Sequence, residues 1–209
     1  MKRYADFVFD IDGTLLDTER TGVLSLMQTI RELMGRDVPY EEAYGFFGIP
    51  SARAASMLGY ADEARFGEVW ETHFQELMHL VRPFPGVEDV LRDLRAAGGR
   101  TGIVTSRSRF EIGYDVQLAR LLPYFDVVVS SEDTVRHKPF PDPMYAYLEK
   151  TGAECGTTLF LGDTMHDFRC GHDAGCDFAL ADWRERGLQG IPAEYRFTDA
   201  AGMRAVLGL

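Results

Sequence analysis

Lysine is scarce in this 209-residue chain, which holds only Lys2, Lys138 and Lys150. Cysteine is as rare: Cys155, Cys170 and Cys176 form an odd set without metal-site spacing, so neither a disulfide framework nor a cysteine-rich zinc module is expected. No apolar run nears the roughly 20 residues a membrane helix needs, and Asp6 and Asp10 fall where a secretory leader would be apolar. Positive charge is short overall, with 22 Lys and Arg against 33 Asp and Glu, a formal net charge of −11. A nucleic-acid binder needs a basic stripe facing phosphates, so that class is excluded. An anionic substrate would have to be held by local cations against an unfavourable overall field. The expectation is a cytoplasmic protein with reduced thiols and neither membrane nor nucleic acid as partner.

What is present begins with two acids. Asp10 and Asp12 stand at the end of the first apolar run, Phe7-Val8-Phe9-Asp10-Ile11-Asp12-Gly13-Thr14. The run reads as a buried parallel strand, and Gly13-Thr14 turns the chain at its end. Open α/β sheets hold ligands at that edge. Two carboxylates so close repel, and one stays protonated unless a cation intervenes.

After Thr14 the period changes from strand to helix. Val23, Leu26, Met27, Ile30, Leu33 and Met34 recur at helical spacing with Gly35 as a C-terminal cap. A second stripe runs from Phe66 through Trp70 and Phe74 to Val81, and a shorter helix is expected to open with Ser51 as its N-cap. Phe46, Phe47, Trp70 and Phe74 read as core of this segment, and His73 as structural. Residues 17–82 therefore read as a helical bundle. Pro83-Phe84-Pro85-Gly86 breaks the chain, and strand and helix then alternate. Strands are expected at Thr101–Val104, Asp126–Val129, Thr158–Leu161 and Phe178–Ala181. Ser108 and Glu111 fit a capping box, and Asp142 fits an N-cap before Pro143. The fold class is α/β: a Rossmann-like three-layer parallel-sheet core from residues 1–16 and 83–209, with a small α-helical cap domain, residues 17–82, inserted after the first strand.

Each strand edge carries chemistry. The first offers Asp10 and Asp12, the second Thr105 and Ser106, and the fourth Asp163 in Gly162-Asp163-Thr164-Met165-His166-Asp167; Lys138 follows the third. The set suits a phosphate ester. At an effective dielectric of about 20, two unit charges about 4 Å apart repel by about 4 kcal/mol, so a dianion needs a divalent ion bridging it to Asp10 and Asp163. Magnesium fits because it takes few carboxylates and keeps several waters. Lys138 adds charge, while Thr105, Ser106 and backbone N–H groups near Gly13 donate to phosphate oxygens. In this scheme Asp10 attacks phosphorus and Asp12 serves as acid, then base.

The four motifs Phe-Asp10-Ile-Asp12-Gly-Thr14, Val-Thr105-Ser106, Lys138-Pro-Phe-Pro-Asp-Pro and Gly-Asp163-Thr-Met-His-Asp167 resemble, in order, those of the haloacid dehalogenase-like superfamily. The resemblance covers nearly the whole chain and extends to that family's small helical cap. It implies Asp10 as nucleophile, Asp12 as acid/base, and Thr105 and Lys138 as phosphate ligands. It also implies Mg2+ on the Asp10 side chain, the Asp12 backbone carbonyl and Asp163, with Asp167 behind them orienting Lys138 or a bound water. Residues 17–82 lack the cap lysine of the phosphonate-cleaving members, and Asp12 argues against the dehalogenases, which lack the second acid. The chain resembles the phosphoglycolate phosphatases overall, with a small phosphorylated metabolite as substrate and Arg20, Arg53 and Arg107 as ligands for a second anionic group. Pyrophosphatase or sugar-phosphate mutase chemistry are alternatives on the same scaffold; a phosphoreceiver without turnover or a silent binding protein is a weaker one. His166 reads as a surface residue at a helix entry.

Overall fold

The computed structural model of the protein describes residues 3–185 and 190–209. It divides into two compact units, Asp17–Arg82 and the remainder, Met1–Leu16 with Pro83–Leu209.

The larger unit holds a six-stranded parallel sheet. Its strands are β1 (Asp6–Phe9), β2 (Arg100–Val104), β3 (Val127–Val129), β4 (Thr158–Gly162), β5 (Asp177–Ala181) and β6 (Tyr195–Phe197), in spatial order β3-β2-β1-β4-β5-β6. The central strands are apolar along most of their length and buried, as strands covered on both faces must be, with the polar residues Asp6, Thr101 and Thr158 near their starts. Val8, Phe160, Phe178 and Leu180 form one core with Met144 and Tyr147 of one helix and Cys170 of another. Burial pushes the Cys170 thiol up to about 12, which keeps it protonated and inert. Register pairs Phe9 with both Ile103 and Leu161, so β1, β2 and β4 end level with one another. The strand order reverses between β1 and β4, the switch point where such sheets open a crevice at their carboxyl ends.

The smaller unit is helical: α1 (Glu19–Met34), α2 (Tyr40–Tyr44), α3 (Ser51–Leu58) and α4 (Glu63–Glu76). Val23, Leu26 and Ile30 of α1 bury against Ala54, Ala55 and Phe66, with Phe46, Phe47 and Trp70 packed around them. Trp70 Nε1 donates to Ser25 Oγ at 2.8 Å, satisfying two polar groups inside this core. Gly35 caps α1 in the left-handed region, at φ 66°. His73 bridges Glu32 and Glu76, a structural placement.

The larger unit adds α5 (Val87–Ala96), α6 (Arg109–Tyr114), α7 (Val116–Leu121), α8 (Asp142–Thr151), α9 (Met165–Asp173) and α10 (Ala200–Leu207). The Ser108–Glu111 capping box is present at α6. Two expected caps are displaced by proline. Pro50, extended at φ −55° and ψ 141°, precedes α3 and makes Ser51 its first helical residue. Pro141 likewise precedes α8, and the Asp142 carboxylate is taken by Arg136 Nε at 2.9 Å. The long stripe ending at Val81 also splits, because α4 stops at Glu76 and a single 3₁₀ turn, Met78–Leu80, follows.

Candidate active site

The site is built where β1, β2 and β4 end. The Asp10 N–H donates to Leu161 O at 2.8 Å, prolonging the ladder by one residue and fixing where the Asp10 side chain leaves the sheet. The chain then turns at Gly13, whose φ of +78° only glycine adopts without strain. Gly13 has a second reason to lack a side chain, since a Cβ there would lie 2.1 Å from Asp163 Oδ2. The first loop and the β4 loop can approach this closely only through glycine. Gly162 plays the same part beneath Asp167, where a Cβ would fall 2.3 Å from the Asp167 Cβ.

Asp10, Asp163 and Asp167 each bring a carboxylate oxygen within 4.8 Å of the others, and all three residues are buried. Lys138 reaches into this group: its Nζ donates to Asp10 Oδ1 and to Asp167 Oδ1, both at 2.6 Å. Burial alone would lower the Lys138 value, but the two carboxylates outweigh it and raise the lysine above its ordinary value, so it stays charged. Asp10 is also pushed up, to about 7, by burial first, which favours its neutral form; Lys138 opposes this while Asp167 and Asp12 add to it. Three carboxylates against one ammonium leave the cluster short of positive charge. A hard divalent cation on oxygen donors supplies what is missing, so the residues fit a magnesium site.

The other sequence-predicted residues fall in different places. Thr105 is buried, and its Oγ1 accepts from the Arg107 N–H at 3.1 Å, which leaves the hydroxyl proton to donate. Ser106 is exposed beside it. Asp167 holds two posts, because its Oδ2 accepts from the Thr164 N–H at 3.0 Å and closes a capping box on α9. Arg20 and Arg53 are exposed on the smaller unit, and His166 is exposed on α9. Arg107 lies among acids. Its Nε and Nη2 fork onto Asp12 Oδ2 and Oδ1 at 2.8 and 2.7 Å, and its Nη1 donates to Asp115 Oδ2 at 2.7 Å.

Two contributors went unread in the sequence. Asp115 is fully buried behind Arg107; its signal was a helix N-cap, which gave no hint of a partner across the fold. Trp183, just past β5, donates from Nε1 to Thr14 O at 2.8 Å and packs on Phe84, lining a small cleft with Gly13 and Asp163.

A doubly wound sheet whose switch point carries buried acids around a lysine is the core of an enzyme that works on an anionic group. The chain belongs to the haloacid dehalogenase-like hydrolases, whose family model matches residues 7–181, and it stands with the phosphatases of that family. Pyrophosphatase PpaX of Bacillus cereus is 31% identical over 185 residues, 86% of this chain and 84% of that protein. A Lactobacillus plantarum protein, provisionally assigned as a phosphoglycolate phosphatase, is 25% identical at a TM-score of 0.86, covering 98% of this chain and 99% of its own. The hydrolase YfnB of Bacillus subtilis, solved bound to magnesium, shares the fold at 20% identity and a TM-score of 0.77, with both chains covered fully.

Proposed function

We propose that the protein is a magnesium-dependent phosphatase that hydrolyses a small phosphorylated metabolite through an aspartyl phosphate on Asp10. One observation supports this above the rest: Lys138 Nζ lies 2.6 Å from both Asp10 and Asp167, in a carboxylate cluster that one lysine does not neutralise.

Asp10 forms the bond to phosphorus as the ester bond breaks, and Asp12 gives a proton to the departing oxygen. Water then attacks phosphorus, Asp12 takes its proton, and the Asp10–phosphorus bond breaks to release inorganic phosphate. Lys138, the Thr105 hydroxyl, Ser106 and the N–H groups around Gly13 hold the phosphoryl oxygens as charge shifts between them. Asp167 keeps the Lys138 ammonium aimed at Asp10. Asp10, the Asp12 carbonyl and Asp163 would hold Mg2+, which when bound screens the phosphoryl charge from the carboxylates. The unit Asp17–Arg82 serves as the cap that selects the leaving group. Its exposed Arg20 and Arg53 are proposed to meet a second anionic group, whereas Arg107 is engaged by Asp12 and Asp115. The compartment proposed for the reaction is the cytoplasm.

Phosphoglycolate is the first substrate to test. Pyrophosphate is the second reading, supported by the 31% identity to a pyrophosphatase. The experiment is phosphate release from para-nitrophenyl phosphate and from a panel of phosphoglycolate, pyrophosphate and hexose phosphates, with and without millimolar magnesium. Magnesium-dependent release that is lost in Asp10→Asn is expected; no release above background refutes the reading.

A further inference from the structure

Arg107, near the sheet edge, is a charged group whose placement the phosphoryl chemistry leaves unused. Only 6% of it is exposed, so it presents little surface to a ligand. Every part of it is tied down. The backbone N–H donates to Thr105 Oγ1 at 3.1 Å, and the carbonyl accepts from the Ser131 N–H at 2.9 Å. The guanidinium forks onto both oxygens of Asp12, a two-point contact that fixes the direction of a carboxylate as well as its distance. From the opposite edge it is gripped by Asp115, which is fully buried and itself immobilised, its Oδ1 accepting from the Gln117 and Leu118 N–H groups at 2.9 Å each. The chain of contact thus runs from the first turn of α7 through Asp115 and Arg107 to Asp12. Asp12 is the end of that chain open to solvent, with 37% of its side chain exposed.

Arg107 is not placed to recognise a substrate anion, because its three donor nitrogens are committed to two aspartates. A buried ion triad is also a poor way to gain stability alone, since desolvation cancels much of the attraction. What the arrangement gives is direction to one carboxylate. Proton transfer to a departing oxygen needs the donor within hydrogen-bond reach and aligned; the fork removes the rotamer freedom of a short acid on a turn, and the transferred proton sits on one Asp12 oxygen at the lone pair Arg107 does not use.

Resting on the phosphatase reading above, we propose that Arg107, anchored by Asp115, is a positioning residue that orients Asp12 for proton transfer to the leaving group. The contribution then scales with how much the leaving oxygen needs a proton. Departing para-nitrophenolate leaves well without one, whereas an alkoxide cannot.

The test is a series of phosphate monoesters from para-nitrophenyl phosphate to simple alkyl phosphates, assayed with the parent enzyme, Arg107→Ala, Arg107→Lys and Asp115→Asn. For Arg107→Ala, kcat/KM on the alkyl esters falls about 100-fold but only about 5-fold on the nitrophenyl ester, within the range positioned acids contribute. KM stays within about 3-fold of the parent, as expected when no ground-state contact is lost. Arg107→Lys, which offers a point charge instead of a fork, falls between. Asp115→Asn keeps the α7 cap through its remaining oxygen and shows the same leaving-group pattern more weakly, so the test survives if Arg107→Ala does not fold. In an Asp12→Asn background, Arg107→Ala adds no further loss. An equal loss across all leaving groups overturns the proposal, as does a rise in KM at unchanged kcat, which would make Arg107 a substrate ligand. A parent enzyme inactive on every ester would overturn the phosphatase reading itself, a result distinct from either.

Discussion

Replacing Asp10 with Asn should stabilise the metal-free protein, by an amount that grows with pH. Asp10 titrates near 3.8 in the unfolded chain but is pushed up to about 7 in the fold. Between those values the folded protein binds a proton that the unfolded chain has released, so stability falls as pH rises. The interval is about 3 pH units, and at about 1.36 kcal/mol for each the deficit reaches about 4 kcal/mol once pH passes 7. Asparagine keeps the shape and cannot ionise, so the deficit vanishes in the variant. Groups remote from Asp10 titrate alike in both proteins and drop out of the difference, while Asp167 and Asp12, which act on Asp10 through their charge, set its position along the pH axis. Lys138 and Asp167 remain paired in the variant at 2.6 Å, so the loss of the Lys138 contact to Asp10 adds an offset that stays constant through this window. The assay is urea denaturation of parent and variant in chelator, from about pH 4 to about pH 8. The stability difference should move steadily in the variant's favour up to about pH 7 and then level. Magnesium at neutral pH should then raise the melting temperature of the parent more than that of the variant. A difference that is flat with pH, or that grows in the parent's favour, would refute the reasoning.

Gly13→Ala sets a methyl group 2.1 Å from Asp163 Oδ2 at a φ of +78°, so the two loops must part. It should cost about 1–3 kcal/mol and lower turnover at least tenfold, measured by denaturant midpoint and phosphate release together; near-parental turnover would show that the loops need not touch. Tyr147→Phe removes a buried hydroxyl that donates to Asp6 Oδ1 at 3.0 Å, remote from the proposed chemistry. A loss of about 1–2 kcal/mol with unchanged turnover is expected, because Arg100 still pairs with Asp6 at 3.1 Å.

The sheet was readable because its strands are short apolar runs ending in polar residues, a pattern that survives without any tertiary information. The glycine cap at Gly35 was readable for the same local reason, and it occupies the left-handed region. β6 and α10 went unread: Tyr195-Arg196-Phe197 is too short to show a period, and the apolar residues of the eight-residue Ala200–Leu207 run nearly without interruption and so show no helical period. The misplaced caps at Ser51 and Asp142 share one cause, a preceding proline that occupies the capping position itself. At the site, Asp10, Lys138, Asp163 and Asp167 announced themselves as acids and a rare lysine at strand ends, and the fold brings them together. Arg107 was read as a ligand for a substrate anion because isolated arginines suggest that role. Its pairing with Asp12, across 95 positions of sequence, is a product of sheet register, and no local pattern encodes it.

Asp167 spends one oxygen on the Thr164 N–H at the start of α9 and the other on the Lys138 ammonium. The opening turn of that helix is therefore a hinge pin for the lysine: unwinding it by a few residues removes the seat on which the ammonium rests. Fraying at a helix end is ordinarily a harmless event at the periphery, but here it would withdraw a carboxylate from Lys138 while the sheet stays intact.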